Sequence, residues 1–84
     1  GSYRTLKIRI DGDMRHHAER IQKEFSAFSV SADEEWISIL VDEDKARVID
    51  VLSELQKSRS IRDMQLEEIS TEEVIKKIYE DGVS

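Results

Sequence analysis

Residues 61–82 read IRDMQLEEISTEEVIKKIYEDG, and the change of period inside this stretch decides the fold. Met64 and Leu66 alternate with Asp63, Gln65 and Glu67, the period-2 pattern of a strand with one buried face. From residue 70 the period becomes helical. Ser70 and Glu73 stand in the S/T-x-x-E relation of a capping box, in which each side chain reaches the backbone N–H of the other. Ile69 and Val74 occupy the two positions of a hydrophobic staple around that cap. Such an N-cap is worth about 1 kcal/mol. Glu72 and Glu73 favour the positive end of the helix dipole. Val74, Ile75, Ile78 and Tyr79 then recur at helical spacing, and Gly82 is placed as a left-handed C-terminal residue. Ser70 is therefore the expected corner between a fourth strand and a terminal helix.

Upstream, residues 3–10 alternate, with Leu6, Ile8 and Ile10 facing one way and Thr5, Lys7 and Arg9 the other, a first strand. Asp11-Gly12-Asp13 is a turn with Asp13 as N-cap of a first helix, whose stripe is Met14, His17, Ala18, Ile21 and Phe25. Phe28 and Val30 begin a short second strand, residues 31–34 form a loop or hairpin connection, and residues 36–41 form a third strand with Ile37, Ile39 and Val41 inward. Asp42-Glu43-Asp44 opens a second helix with a buried stripe of Val48, Ile49, Leu52 and Leu55. The order β-α-β-β-α-β plus α predicts an α+β, ferredoxin-like domain. Its sheet is antiparallel in the order 4-1-3-2, with the first two helices on one face.

The chain has 84 residues, enough for one core, and 38% hydrophobic against 38% charged residues. It holds no cysteine, which excludes disulfides, thiolate metal sites and cysteine nucleophiles. A domain of this size has a marginal core, so stability rests on tidy packing, self-association or docking on a larger parent. No apolar run has the length of a membrane span, and no signal peptide is visible. A cytoplasmic setting is the expectation. The net charge of −6, with basic residues scattered among a larger number of acids, argues against nucleic acid. Gly1-Ser2 reads as a cloning scar ahead of a single domain, residues 3–84, cut from a longer protein.

The strand parity places Trp36, Ser38 and Leu40 beside Lys7 and Arg9 on the sheet face opposite the first two helices. Asp63, Gln65 and Glu67 are positioned to pair with those cations across strands. A tryptophan presents roughly 150–250 Å² of surface, so it needs a cover. The terminal helix, a second copy of the domain and the parent protein all qualify. The candidate interaction surface is accordingly Trp36, Leu40, Lys7 and Arg9, extended by Ile75 and Tyr79 of the last helix.

Little in the chain points to catalysis or metal. His16 and His17 are adjacent and point about 100° apart on a helix, so they read as packed or solvated side chains. Asp11/Asp13 and residues 42–44 precede helix starts and read as caps, without the spaced ligands of a calcium loop. The only glycines are Gly1, Gly12 and Gly82, so the chain holds no phosphate loop and is expected to be non-enzymatic by itself. Serine–histidine catalysis finds no placed base. The aromatic and basic strand signature of RNA-binding domains is absent, Trp36 apart.

Residues 66–79, LEEISTEEVIKKIY, resemble the tail of ATP-binding subunits of ATP-binding cassette transporters of the drug- and sodium-exporter type. Those subunits often end in a small accessory domain that closes with a strand, an acidic pair, a Pro-Ser-Leu-Glu-Glu/Asp-Val-Phe-like corner and an amphipathic helix. Glu67, Glu68, Ser70, Glu72, Glu73 and Val74 match that pattern, while Ile69, Thr71 and Ile75 replace its proline, leucine and phenylalanine. The resemblance implies a non-catalytic accessory or regulatory domain in an ATP-driven exporter. ATP and Mg belong to the parent, and this piece binds no cofactor. Its implied partners are the nucleotide-binding domain and possibly a second copy of itself, with transmembrane permease subunits reached through the parent. The domain would be held near the membrane by the transporter without inserting into it. A rival expectation is a small-ligand sensor of the amino-acid-binding ferredoxin-like type, with its site near Gly12, although such domains generally carry a Pro-Gly there and this chain has no proline.

Overall fold

The computed structural model describes residues 3–68 and, beyond them, Glu72, Ile75, Lys76 and Tyr79. The elements in chain order are β1 (Tyr3–Ile10), α1 (Met14–Glu24), β2 (Ser29–Ala32), β3 (Ile37–Asp42), α2 (Val48–Ser58) and β4 (Ile61–Glu68). They build an α+β structure on one four-stranded antiparallel sheet in the order β2-β3-β1-β4. Counted from the other edge this is 4-1-3-2. β1 is central, paired with β3 from Tyr3↔Asp42 to Ile8↔Ile37 and with β4 from Arg4↔Glu68 to Ile10↔Ile61. The β1–β4 register shifts between Arg9 and Ile10, a β-bulge that leaves Arg62 as the extra residue.

The core follows from the two periods. Leu6, Ile8 and Ile10 of β1 and Ile37, Ile39 and Val41 of β3 all lie on one face. Met14, Ala18 and Ile21 of α1 and Val48, Val51 and Leu55 of α2 join the same cluster, so both helices cover that face. α1 starts as its sequence dictates: Asp13 accepts from the Arg15 N–H at 3.0 Å. Gly12 takes φ +108°, open to glycine and strained for other residues, and a Cβ there would meet His17 Nε2 at 3.3 Å. His17 Nε2 donates to the Asp11 carbonyl at 3.0 Å, which fastens the turn to the helix. Gln22 secures the other end. Its amide donates to the Phe28 and Phe25 carbonyls at 2.7 and 3.3 Å and accepts from the Val30 N–H at 3.1 Å.

Four expectations need correction. Ser31 and Ala32 belong to β2, paired with Ser38 and Ile37, so the connection is shorter than residues 31–34. Residues 42–44 do not open α2. The Asp42 carbonyl accepts from the Lys45 and Ala46 N–H groups and its carboxylate from the Asp44 N–H, closing a separate turn. α2 begins at Val48, with Arg47 at the N-cap and no side-chain capping bond. Ile49 is 60% exposed, because the sheet takes the neighbouring stripe of Val48, Val51 and Leu55. Met64 and Leu66, expected in the core, are 41% and 38% exposed. They lie opposite Ile8 and Leu6, on the core side, but β4 is the outermost strand and one flank stays open.

Glu72, Ile75, Lys76 and Tyr79 are helical. The capping box of Ser70 and Glu73, the staple of Ile69 and Val74, and the positions of Ile78 and Gly82 lie outside the described residues. Among the described residues no helix is long and apolar enough to cross a membrane.

Candidate interaction surface

Trp36 stands immediately before β3, and its parity puts it on the face turned away from α1 and α2. The turn that delivers it is organised by Asp33. One carboxylate oxygen accepts from the Glu35 N–H at 2.8 Å and the Trp36 N–H at 2.7 Å, and the Asp33 N–H donates to the Trp36 carbonyl at 2.9 Å. The Trp36 N–H, then that of Glu35, hold the Asp33 carboxyl below its ordinary value of 3.8, and the charges of Lys7 and Arg15 act in the same direction. The turn thus fixes a half-buried indole at the mouth of the β2–β3 hairpin.

Two cations from β1 meet this ring. The Arg9 guanidinium carbon lies 4.5 Å from the indole centroid and the Lys7 ammonium 5.7 Å, both within cation–π range. Arg9 also reaches Glu35 at 3.4 Å. The expected cross-strand pairing with β4 takes a different form. Arg9 does stand opposite Asp63 and Lys7 opposite Gln65, with Glu67 opposite Thr5, so the register is as anticipated. The Arg9 guanidinium nevertheless turns toward β3, because the indole and Glu35 both lie on that side. Leu40 shares the face, half-buried, opposite Thr5 on one side and Ser29 on the other. Thr5 is only 2% exposed, and its hydroxyl has no partner among the described residues. Ile75 and Tyr79 are helical, spaced i,i+4, and 49% and 67% exposed.

The sequence therefore located Trp36, Lys7, Arg9 and Leu40 on one face, and the structure assembles the first three into one cluster. It missed Asp33 and Glu35, although an aspartate in a hairpin connection is a signal for an Asx turn onto the N–H two residues on. It also missed a second concavity, a groove of about 520 Å³ between α1 and β2 lined by Arg15, Ala18, Gln22, Lys23, Val30 and Ala32 among others. The Gly12 turn favoured by the ligand-sensor reading is occupied by the His17 ring, which sits against Gly12. His16 and His17 have ring centroids 6.2 Å apart. Among the described residues no three histidine or carboxylate side chains converge as a metal site would require.

Chemically, the Trp36 cluster offers an aromatic plane whose π-face is already engaged by two cations, with a carboxylate at its edge. No nucleophile with an adjacent base is part of it. Comparison with protein-family models, with curated proteins and with solved structures finds no match for the chain.

Proposed function

We propose that the chain is a ferredoxin-like accessory domain that binds another protein through its helix-free sheet face, and that this other protein is the nucleotide-binding domain of an ATP-driven exporter. The split β-α-β halves that define such a domain accord with the strand order and with the placement of both helices on one face. A C-terminal helix after β4 belongs to the same reading, with Ile75 and Tyr79 extending the contact. The observation that carries the interaction role is the stacking of Lys7 and Arg9 on a half-buried Trp36. Tryptophan and arginine are the residues that anchor protein interfaces, and here both are held in place before any partner arrives.

The transporter assignment rests on the likeness of residues 66–79 to the accessory tails of exporter ATPases. In that setting the domain does no chemistry; ATP and Mg act in the parent, and the domain regulates or assembles. Coupling requires that its contact differ between the open and ATP-closed states. In the longer ATPase subunit implied by this reading, removal of residues 3–84 changes the ATPase rate or the assembly of the transporter. An unaltered subunit refutes it. Trp36→Ala in the full subunit reproduces the defect if the sheet face is the contact.

The groove between α1 and β2 supports a second reading, a small-ligand sensor. A thermal-shift screen separates the two, since a ligand present at about 100 times its Kd adds about 2.7 kcal/mol of stability. Under the leading reading no metabolite produces that shift.

A further inference from the structure

We propose that β4 is a self-pairing edge, and that two copies of the chain join antiparallel through it to form one continuous eight-stranded sheet. β4 is an edge strand of the sheet and runs for eight residues, regular from Asp63 to Glu68 beyond the bulge at Arg62. Its outward phase is marked by one bond: the Met64 N–H donates to the carboxylate of the preceding residue, Asp63, at 2.8 Å. Backbone groups alternate along the regular part of the strand, beyond the bulge at Arg62, so Met64, Leu66 and Glu68 present their N–H and C=O groups to the open side, and Asp63, Gln65 and Glu67 turn theirs to β1.

That phase selects among registers. Outward residues must face outward residues, so a two-fold pairing is centred on Met64, on Gln65 or on Leu66. Centred on Gln65, each Met64 faces the other copy's Leu66. Apolar then meets apolar on the side of the sheet that carries the core, while Arg62, the bulged residue, keeps its bonds to Asp11 of its own copy. Asp63 and Glu67 meet as like charges on the opposite side, a cost set against the apolar contact, with Lys7 of β1 at the register position beside Gln65. Centred on Met64, each Leu66 would face the bulged Arg62. Centred on Leu66, Met64 would face Glu68. Only the Gln65 register covers the exposed Met64 and Leu66 with each other. A dyad normal to the sheet keeps the helices of both copies on one side, so the two Trp36 clusters share a single face. The inference stands apart from the transporter reading, since it uses only β4.

The chain lacks cysteine, which makes the test direct. Gln65 is a non-hydrogen-bonded pair with itself at the dyad, with Cα atoms about 4.5 Å apart, inside the range a disulfide spans. Gln65→Cys is therefore expected to cross-link to a dimer under mild oxidation, whereas Met64→Cys and the α2 surface variant Gln56→Cys remain largely monomeric. In parallel, hydrogen exchange on the unmodified chain is expected to slow at Met64 and Leu66 as its concentration rises. Leu66→Pro removes an outward donor while sparing the β1 ladder, and abolishes association in sedimentation. Cross-linking of Gln65→Cys no better than Gln56→Cys overturns the proposal. So does exchange at Met64 and Leu66 that is independent of concentration, or a folded Leu66→Pro variant that still dimerises.

Discussion

Arg9 answers to two groups at once, the Trp36 ring and the Glu35 carboxylate, and its single charge is turned away from Asp63 across the strand. Arg9→Ala is expected to cost about 0.5–1 kcal/mol in denaturant unfolding and to red-shift the emission of the single tryptophan, as water replaces the guanidinium. Lys7→Ala, farther from the ring, moves the emission less. Gln22 carries more weight than its place on a helix surface implies. Gln22→Ala leaves the Phe28 carbonyl and the Val30 N–H without their partner and is expected to cost about 1–3 kcal/mol. Asp33 gives a pH signature. Its folded-state carboxyl titrates below 3.8, so its stabilising effect is complete above that value and is lost as the pH falls through the folded pKa. The stability difference between the wild type and Asp33→Ala is thus expected to be constant near neutrality and to shrink in acid unfolding. At this scale the sequence told which face each residue occupies, because parity is a property of the strand alone. It did not tell which partner Arg9 chooses, because that depends on where a turn distant in the chain delivers an indole.

Among the elements, β1 and α1 were legible nearly to the residue, since alternation and an Asp N-cap coincide there. α2 was not. Three acids ahead of a helical pattern look like a cap, yet Asp42 spends its carbonyl and its carboxylate on its own turn, and the helix starts later on Arg47. The omission has a measurable consequence: Arg47→Ser supplies the absent acceptor and is expected to raise stability by about 1 kcal/mol, read from the shift in the denaturation midpoint. The stripe of α2 was ambiguous for a different reason. Val48, Ile49, Leu52 and Leu55 make as good a helical face as Val48, Val51 and Leu55, and only the sheet beneath decides between them. β4 misled in the same way, because an edge strand carries the same alternation as an inner one while leaving its apolar side chains half in water.

For the molecule as a whole, one small core holds both helices to one sheet. Leu55 is fully enclosed where α2 meets that core, and Leu55→Ala is expected to remove about 2–5 kcal/mol. Against the roughly 5–15 kcal/mol that natural domains possess, this is expected to lower the melting temperature sharply and leave a sizeable unfolded fraction. Fold class and strand order were within reach of the sequence because element order and handedness restrict the topology to very few forms. The candidate surface was half legible: its aromatic and its cations declared themselves by spacing, and the carboxylates that set their geometry did not.

The position of β1 bears on how the chain is made. Leaving the ribosome first, this strand waits with both flanks bare until β3 and then β4 have been synthesised, since the two ladders it anchors close only with residues 37–42 and 61–68. Its long-range pairings come late and slow the final collapse. Throughout that interval Arg4, Lys7 and Arg9 interrupt its apolar residues with like charges, the gatekeepers that oppose self-association of the bare strand.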